Sequence, residues 1–327
     1  VKRRHFISLI GGATAWPLVA RAQPAPFPVV GVVNGGSAEA YTRETVALRR
    51  GLSDSGYVEG QNVAVEYHWL EGQYERLPAL MSDLVHREVA VIATTGSGPA
   101  ALAAKTATKT IPIVFGLGED PVQLGLVANL ARPGGNATGI NFFFNEVIAK
   151  RLRLLHDLVP KAVRVGVLIN PRNGLSTDAT SKVVQTSAPS MGLQTEIFKA
   201  ATVREIDAAF TAIAHEHMDA LFVAPDAFFT SRAVQFATLA ASDKIPASYG
   251  VREFVMVGGL MSYGTDLAEV NYQVGRYVGS ILKGAKPSDL PVLQSTKFEF
   301  VLNLQTARAL GIEVPSGVLS IADEVVE

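Results

Sequence analysis

The segment Pro28-Val29-Val30-Gly31-Val32-Val33-Asn34-Gly35-Gly36-Ser37 runs a β-branched apolar stretch into a turn of small and capping residues. An apolar run without alternation fits a strand buried on both faces, and the turn behind it is where a helix can begin. The pattern recurs at Val63–Tyr67, Val89–Thr94, Ile111–Phe115 and Thr138–Phe142, with helix-period segments between the runs. Such alternation predicts right-handed crossovers and a parallel sheet covered by helices on both sides.

After the fifth run the rhythm starts again, at Val163–Ile169, Gln194–Phe198, Ala220–Val223 and Ile245–Tyr249. In each half a helix ends at a glycine, Gly56 or Gly192, as a left-handed C-terminal cap requires. The expected fold is α/β, with two Rossmann-like lobes, each built on a parallel sheet. Farther on, Gly258–Tyr263 reads as a strand, Leu267–Leu282 as a long amphipathic helix, Lys297–Leu302 as a final strand and Gln305–Leu310 as a short helix. The long helix is expected to return to the first lobe and the last strand to the second. That assigns 28–141 plus 264–291 to lobe 1 and 142–263 plus 292–327 to lobe 2. The chain would cross near Ile140–Asn141, Met261–Gly264 and Pro291–Gln294, and three crossings make a hinge.

Residues 1–22 read as an export signal. Lys2, Arg3 and Arg4 form a basic start, Phe6 to Ala20 is apolar apart from Ser8 and Thr14, and Ala20 and Ala22 form a small-residue cleavage site before Gln23. The Arg3-Arg4-x-Phe6-Ile7 start resembles a twin-arginine signal. The stretch is too short and too glycine-rich for a membrane span, which needs about 20 apolar residues. The expected location is the periplasm. Without residues 1–22 the chain keeps 25 basic residues against 30 acidic ones, a mildly acidic balance that gives no support for nucleic acid or an anionic membrane as partner. There is no cysteine, so disulfides, thiol nucleophiles and cysteine metal sites are excluded.

Arg50-Gly51-Leu52, Gly56-Tyr57-Val58-Glu59-Gly60-Gln61-Asn62-Val63, Glu66-Tyr67 and Leu130-Ala131-Arg132-Pro133-Gly134-Gly135-Asn136-Ala137-Thr138-Gly139 resemble the substrate-binding proteins of ABC importers in the tryptophan/tyrosine-type family. The resemblance runs over essentially all of the chain after residue 22. It implies a periplasmic receptor of the hinged periplasmic-binding-protein architecture, type I-like, that closes on a small ligand and hands it to an inner-membrane ABC permease. Better-understood relatives take aromatic amino acids. The resemblance implies no cofactor, and the receptor is expected to be a monomer.

The residues point the same way. In open parallel sheets, ligands bind beyond the carboxyl ends of the strands, where loops lead into helix N-termini. The candidate ligand residues on such turns are Gly36 and Ser37, then Ser97, Gly98 and Ala100, then Glu119 and Asp120. From the second lobe come Asn170, Asn173, Asp226 and Phe228, and Phe142, Tyr249 and Tyr263 are placed to stack on an aromatic or apolar body. Pro99 and Pro121 suit the first helical position, which puts Gly98 and Asp120 at caps and leaves the amides of Ala100 and Ala101 free for a carboxylate. Asp120 or Asp226 would pair with an ammonium group. Each has a plainer reading: glycine turns occur in every doubly wound protein, and Asp120 and Asp226 suit helix caps.

Catalytic patterns are weak. Ser97 lies between Gly96 and Gly98, but a nucleophile elbow needs glycines two residues away, where Thr95 and Pro99 stand. No phosphate-loop lysine or dinucleotide pattern is complete. His215 and His217 are two apart and point to different helix faces, which is poor metal-ligand spacing. No metal site and no enzyme are expected. The alternative is a periplasmic hydrolase or oxidoreductase on a similar fold, since fold does not fix function. A sugar-repressor-type regulator would carry a helix-turn-helix where the export signal stands.

Overall fold

The computed structural model describes residues 27–142 and 144–327. The expected export signal, 1–22, lies outside them. Thirteen strands are present among the described residues: β1 Val29–Asn34, β2 Ala64–Trp69, β3 Val91–Thr95, β4 Ile113–Leu117, β5 Ala137–Asn141, β6 Arg164–Ile169, β7 Gln194–Lys199, β8 Ala220–Val223, β9 Ala247–Tyr249, β10 Met261–Thr265, β11 Leu293–Gln294, β12 Phe298–Asn303 and β13 Glu324–Val326. The first sheet has the order β11-β5-β4-β3-β1-β2 and the second β13-β12-β10-β9-β8-β6-β7.

All pairings in the first sheet are parallel. Helices cover both faces, and the period-2 alternation of side chains sorts the apolar residues. Ile92, Ile113 and Phe115 pack on one face with Leu84, and Val91, Ala93 and Val114 on the other with Val270, Val274 and Val278. The second sheet is built the same way from β6 to β10, but it is mixed rather than purely parallel, because β12 runs antiparallel to β10. The cause is topological. The chain leaves β10 at its carboxyl end, visits the first lobe and comes back from that same end, so its next strand must run the other way.

The visit is made by the helix Leu267–Leu282, which lies against the helix Thr42–Asp54 on the first sheet. Two glycines allow the approach. A Cβ on Gly51 would run into the carbonyl oxygen of Tyr272, and one on Gly275 into that of Leu48. After this helix, Leu293–Gln294 pairs with Ile140–Asn141 in the first sheet. The sequence pattern places those residues with 292–327 in the second lobe, so the chain crosses later than expected, after Gln294. Likewise β10 continues to Thr265, held by its pairing with Phe298, so the crossing expected near Met261–Gly264 comes at Asp266. No helix among the described residues is long and apolar enough to cross a membrane.

Because the Gly51–Gly275 contact leaves no room for a methyl group, Gly275→Ala is expected to lower the unfolding free energy by about 1–3 kcal/mol through overpacking. Urea unfolding would show this as a lower midpoint at unchanged slope.

Candidate ligand-binding cleft

In both sheets the first five strands follow the order 2-1-3-4-5, which reverses between the first and third strands, and at that switch point the loops open a crevice. A cavity of about 840 Å³ including its mouth lies where the two sets of loops meet. Lobe 1 contributes Tyr41, Gly96, Gly98, Gly118 and Glu119. Lobe 2 contributes Asn173, Ser176, the run Val223–Ala227, Thr230, Gly250 and Phe254. Phe142, Thr265 and Leu267, at the crossings, also line it. Three aromatic rings therefore face the cavity from three separate segments.

Asp226 is the most heavily bonded side chain of the cleft. It caps the short helix Ala227–Thr230, and its Oδ1 accepts from the amides of Phe228 (3.1 Å) and Phe229 (3.2 Å) and from Asn170 Nδ2 (3.0 Å). Its Oδ2 accepts from Asn173 Nδ2 at 2.9 Å and, across the cleft, from the Tyr74 hydroxyl at 3.3 Å. Desolvation still pushes its carboxyl above the ordinary value, and the donors oppose that push. Glu119 sits over the start of the helix Gly98–Ala107, where a Cβ on Gly98 would lie 3.0 Å from each carboxylate oxygen. Burial raises its carboxyl too, while the amides of Glu119 and Gly118 pull it back.

Two α/β lobes around such a cleft agree with the comparison against known proteins. The model of the ABC transporter substrate binding protein family matches residues 29–326. The chain belongs to that family. A tyrosine-binding protein of Clostridioides difficile (strain R20291) is 28% identical over 268 residues, covering 81% of this chain and 75% of that one. The crystal structure of an ABC domain in complex with L-Trp from Streptococcus pneumoniae superposes with a TM-score of 0.82 at 26% identity, over 92% of this chain and 100% of the other. The ligand-free, open structure of a Clostridium difficile substrate binding protein with adhesive properties gives 0.62 at 25% identity, over 91% and 99%.

In this substrate-binding protein, five of the fourteen candidate residues border the cavity: Gly98, Glu119, Phe142, Asn173 and Asp226. Asn170 stands behind them as a donor to Asp226. Gly36 lies at the contact between lobes, where a Cβ would meet the Ala227 carbonyl oxygen at 3.0 Å. The Ser37 hydroxyl accepts from the Ala40 amide, and Asp120 caps the exposed turn at Val122 and Gln123. Ser97, rather than Gly98, is the helix cap. Its hydroxyl accepts from the Ala100 amide at 3.3 Å and its carbonyl from the Ala101 amide at 3.1 Å, so neither amide is free as expected. Phe228 is buried in the second-lobe core under Gly72, and Tyr249 lies one layer back, stacked on Phe254 at 4.3 Å. Tyr263 packs with Phe298 and Phe300 and does not border the cavity. Among the lining residues absent from the expected set, those with a ring or a hydroxyl, Tyr41, Ser176, Thr230, Phe254 and Thr265, share one signal: each stands a few residues beyond the carboxyl end of a strand or at its last position.

Behind Tyr41 an acidic group spans the lobes. Arg43 reaches Asp266 at 2.8 Å and Glu253 at 3.8 Å, and Lys297 also bonds Asp266 at 2.8 Å. The neighbouring Glu44 is buried, and desolvation followed by the Glu253 charge pushes its carboxyl up to about 7, with Arg43 opposing. A carboxyl raised on folding takes up a proton as the chain folds, so its contribution to stability is lost as pH rises from the unfolded value near 4.5 toward 7. Glu44→Gln is expected to remove on the order of 2 kcal/mol of that decline between about pH 5 and 7. Denaturant titrations of both proteins across this range would measure the difference.

Proposed function

We propose that this substrate-binding protein is the exported receptor of an ABC importer for an aromatic L-amino acid, with tryptophan or tyrosine as the ligand. The observation that carries this is the cavity itself. Tyr41, Phe142 and Phe254 surround it with aromatic faces, while Glu119 and Asp226 place carboxylates at its wall. Rings suit offset or edge-on stacking against an aromatic body, and carboxylates suit an ammonium group. The L-Trp complex and the tyrosine-binding relative support the same class.

The signal-like residues 1–22 support export with cleavage near Ala22 and delivery to the periplasm, and family membership supports docking to an inner-membrane permease. Lobe closure would turn on the crossings at Phe142, Asp266 and Ser295–Lys297, and the higher similarity to the L-Trp complex than to the open structure supports a closed form here. The reading is of a receptor and not of an enzyme. Family membership supports this, and so does the Ser176 hydroxyl, which donates to the Pro225 carbonyl oxygen rather than to a base.

Isothermal titration of the protein with L-tryptophan, L-tyrosine and L-leucine is the direct test. Binding of an aromatic amino acid, tighter than L-leucine by tenfold or more (about 1.4 kcal/mol), is expected; no heat with either aromatic at millimolar concentration would overturn the reading.

The Tyr74–Asp226 bond exists only when the lobes meet, so Tyr74→Phe is expected to weaken binding by roughly tenfold, the low end for a hydrogen bond to a charged group. Small-angle scattering at saturating ligand should give a smaller radius for the wild type than its ligand-free form, and identical curves would remove the hinge.

A further inference from the structure

The helix Phe144–Leu158 carries Arg151 one turn beyond Val147, a cavity-lining residue, and Arg151 is fully buried. Its Nη2 donates to the Val223 carbonyl oxygen at 2.6 Å, and its guanidinium lies over the Phe222 ring at 3.9 Å. Nε and Nη1 have no hydrogen-bond partner among the described residues. Burial pulls its pKa down to about 9, and no acid among the described residues opposes that shift. The group is still protonated at neutral pH. A buried cation with no anion is among the costliest things a fold can hold, and such charges are normally paired.

The surroundings say where the anion comes from. Val223 and Gly250 lie beside Arg151, Val147 stands one turn before it on the same helix, and all three line the cavity. A Cβ on Gly250 would lie 2.7 Å from Nη1, so no side chain intervenes between that backbone and the guanidinium. On the adjoining strand, Thr265 also lines the cavity, and its buried hydroxyl has no partner among the described residues. Because Ser262 pairs with Tyr249, the strand ends that carry Gly250 and Thr265 lie side by side. The opposite wall is negative, with Glu119 above Gly98 and the Ala100 and Ala101 amides already used by Ser97.

We propose that Arg151 is the counter-charge for the ligand's carboxylate, which docks at the Gly250–Thr265 end of the cavity, leaving the ammonium group toward Glu119 and Asp226. This rests on the amino-acid reading of the cleft and fixes the direction in which the ligand lies. It reverses the expectation that a carboxylate would sit on the Ser97–Ala101 turn, where Glu119 would repel it.

The test compares an acid with its decarboxylated amine. Wild-type protein should bind L-tryptophan roughly tenfold to a hundredfold more tightly than tryptamine, the range of one charged hydrogen bond. In Arg151→Met, of similar length but without charge, that ratio should fall to within about threefold, and ligand-free protein should melt no lower than wild type. An arginine serving only to hold the Val223 carbonyl would lower the melting temperature and leave the ratio intact, which overturns the proposal. If Arg151→Met does not fold, Arg151→Lys, which keeps the charge, should retain part of the ratio. Equal binding of acid and amine by the wild type overturns the proposal without any variant. If neither aromatic amino acid binds but another carboxylate from a panel of amino acids and aromatic acids does, the aromatic reading fails. The same acid-to-amine comparison on that ligand then decides Arg151. A panel with no carboxylate binder overturns both.

Discussion

The Asp226 carboxylate joins three parts of the molecule that have no covalent reason to be together. Asn170 and Asn173 reach it from the turn after β6, its own helix amides from the turn after β8, and Tyr74 from the other lobe. A buried carboxylate with fewer donors would protonate or stay hydrated, so its five bonds set the relative positions of both second-lobe turns. Those turns form one wall of the cavity. The fifth donor links that wall to the first lobe, which ties the shape of the site to the distance between lobes.

That distance is governed elsewhere by close backbone contact. The helix Leu267–Leu282 leaves the second sheet at Asp266 and must seat on the first lobe with its backbone nearly touching that of the helix Thr42–Asp54, which Gly51 and Gly275 permit. The Asp266 side chain caps this helix at Ala268 and Glu269 and also holds Arg43 and Lys297. One crossing segment thus carries a helix cap and ion pairs to two other segments. A hinge built this way can rotate about its torsions while the packed helices remain rigid.

The architecture was legible in the sequence because buried parallel strands leave a strong mark: short apolar runs such as Val29–Val33 and Ala220–Val223, each followed by a turn of small or capping residues, suit little else. The antiparallel β12 and the short β11 and β13 were less legible. Direction follows from the path between lobes, and Leu293–Gln294 and Glu324–Val326 are too short and exposed to show a pattern. In the cleft, turn residues such as Asp226 and Asn173 could be read because caps and turns have local chemistry. Tyr41, Phe254 and Arg151 could not. Lys150-Arg151-Leu152-Arg153 looks like a solvated helix edge, and only the packing of Phe222 and Gly250 against this helix separates the buried arginine from its two exposed neighbours.

The pKa directions around the closed cavity share a sense. Burial raises the carboxyls of Glu119 and Asp226 and lowers the guanidinium of Arg151, so each group is held away from its charged form. A closed cavity without a ligand therefore leaves the Arg151 guanidinium and the Glu119 carboxyl, one on each lobe, without a charge partner among the described residues. A zwitterion of matching polarity supplies an anion to one wall and a cation to the other, and it can do so fully only when the lobes are shut. The ligand then binds the closed form better than the open one, and that differential affinity is the only means by which a ligand can drive closure. Aromatic faces hold the body of the ligand in either state, but the charges make its capture depend on the lobes meeting.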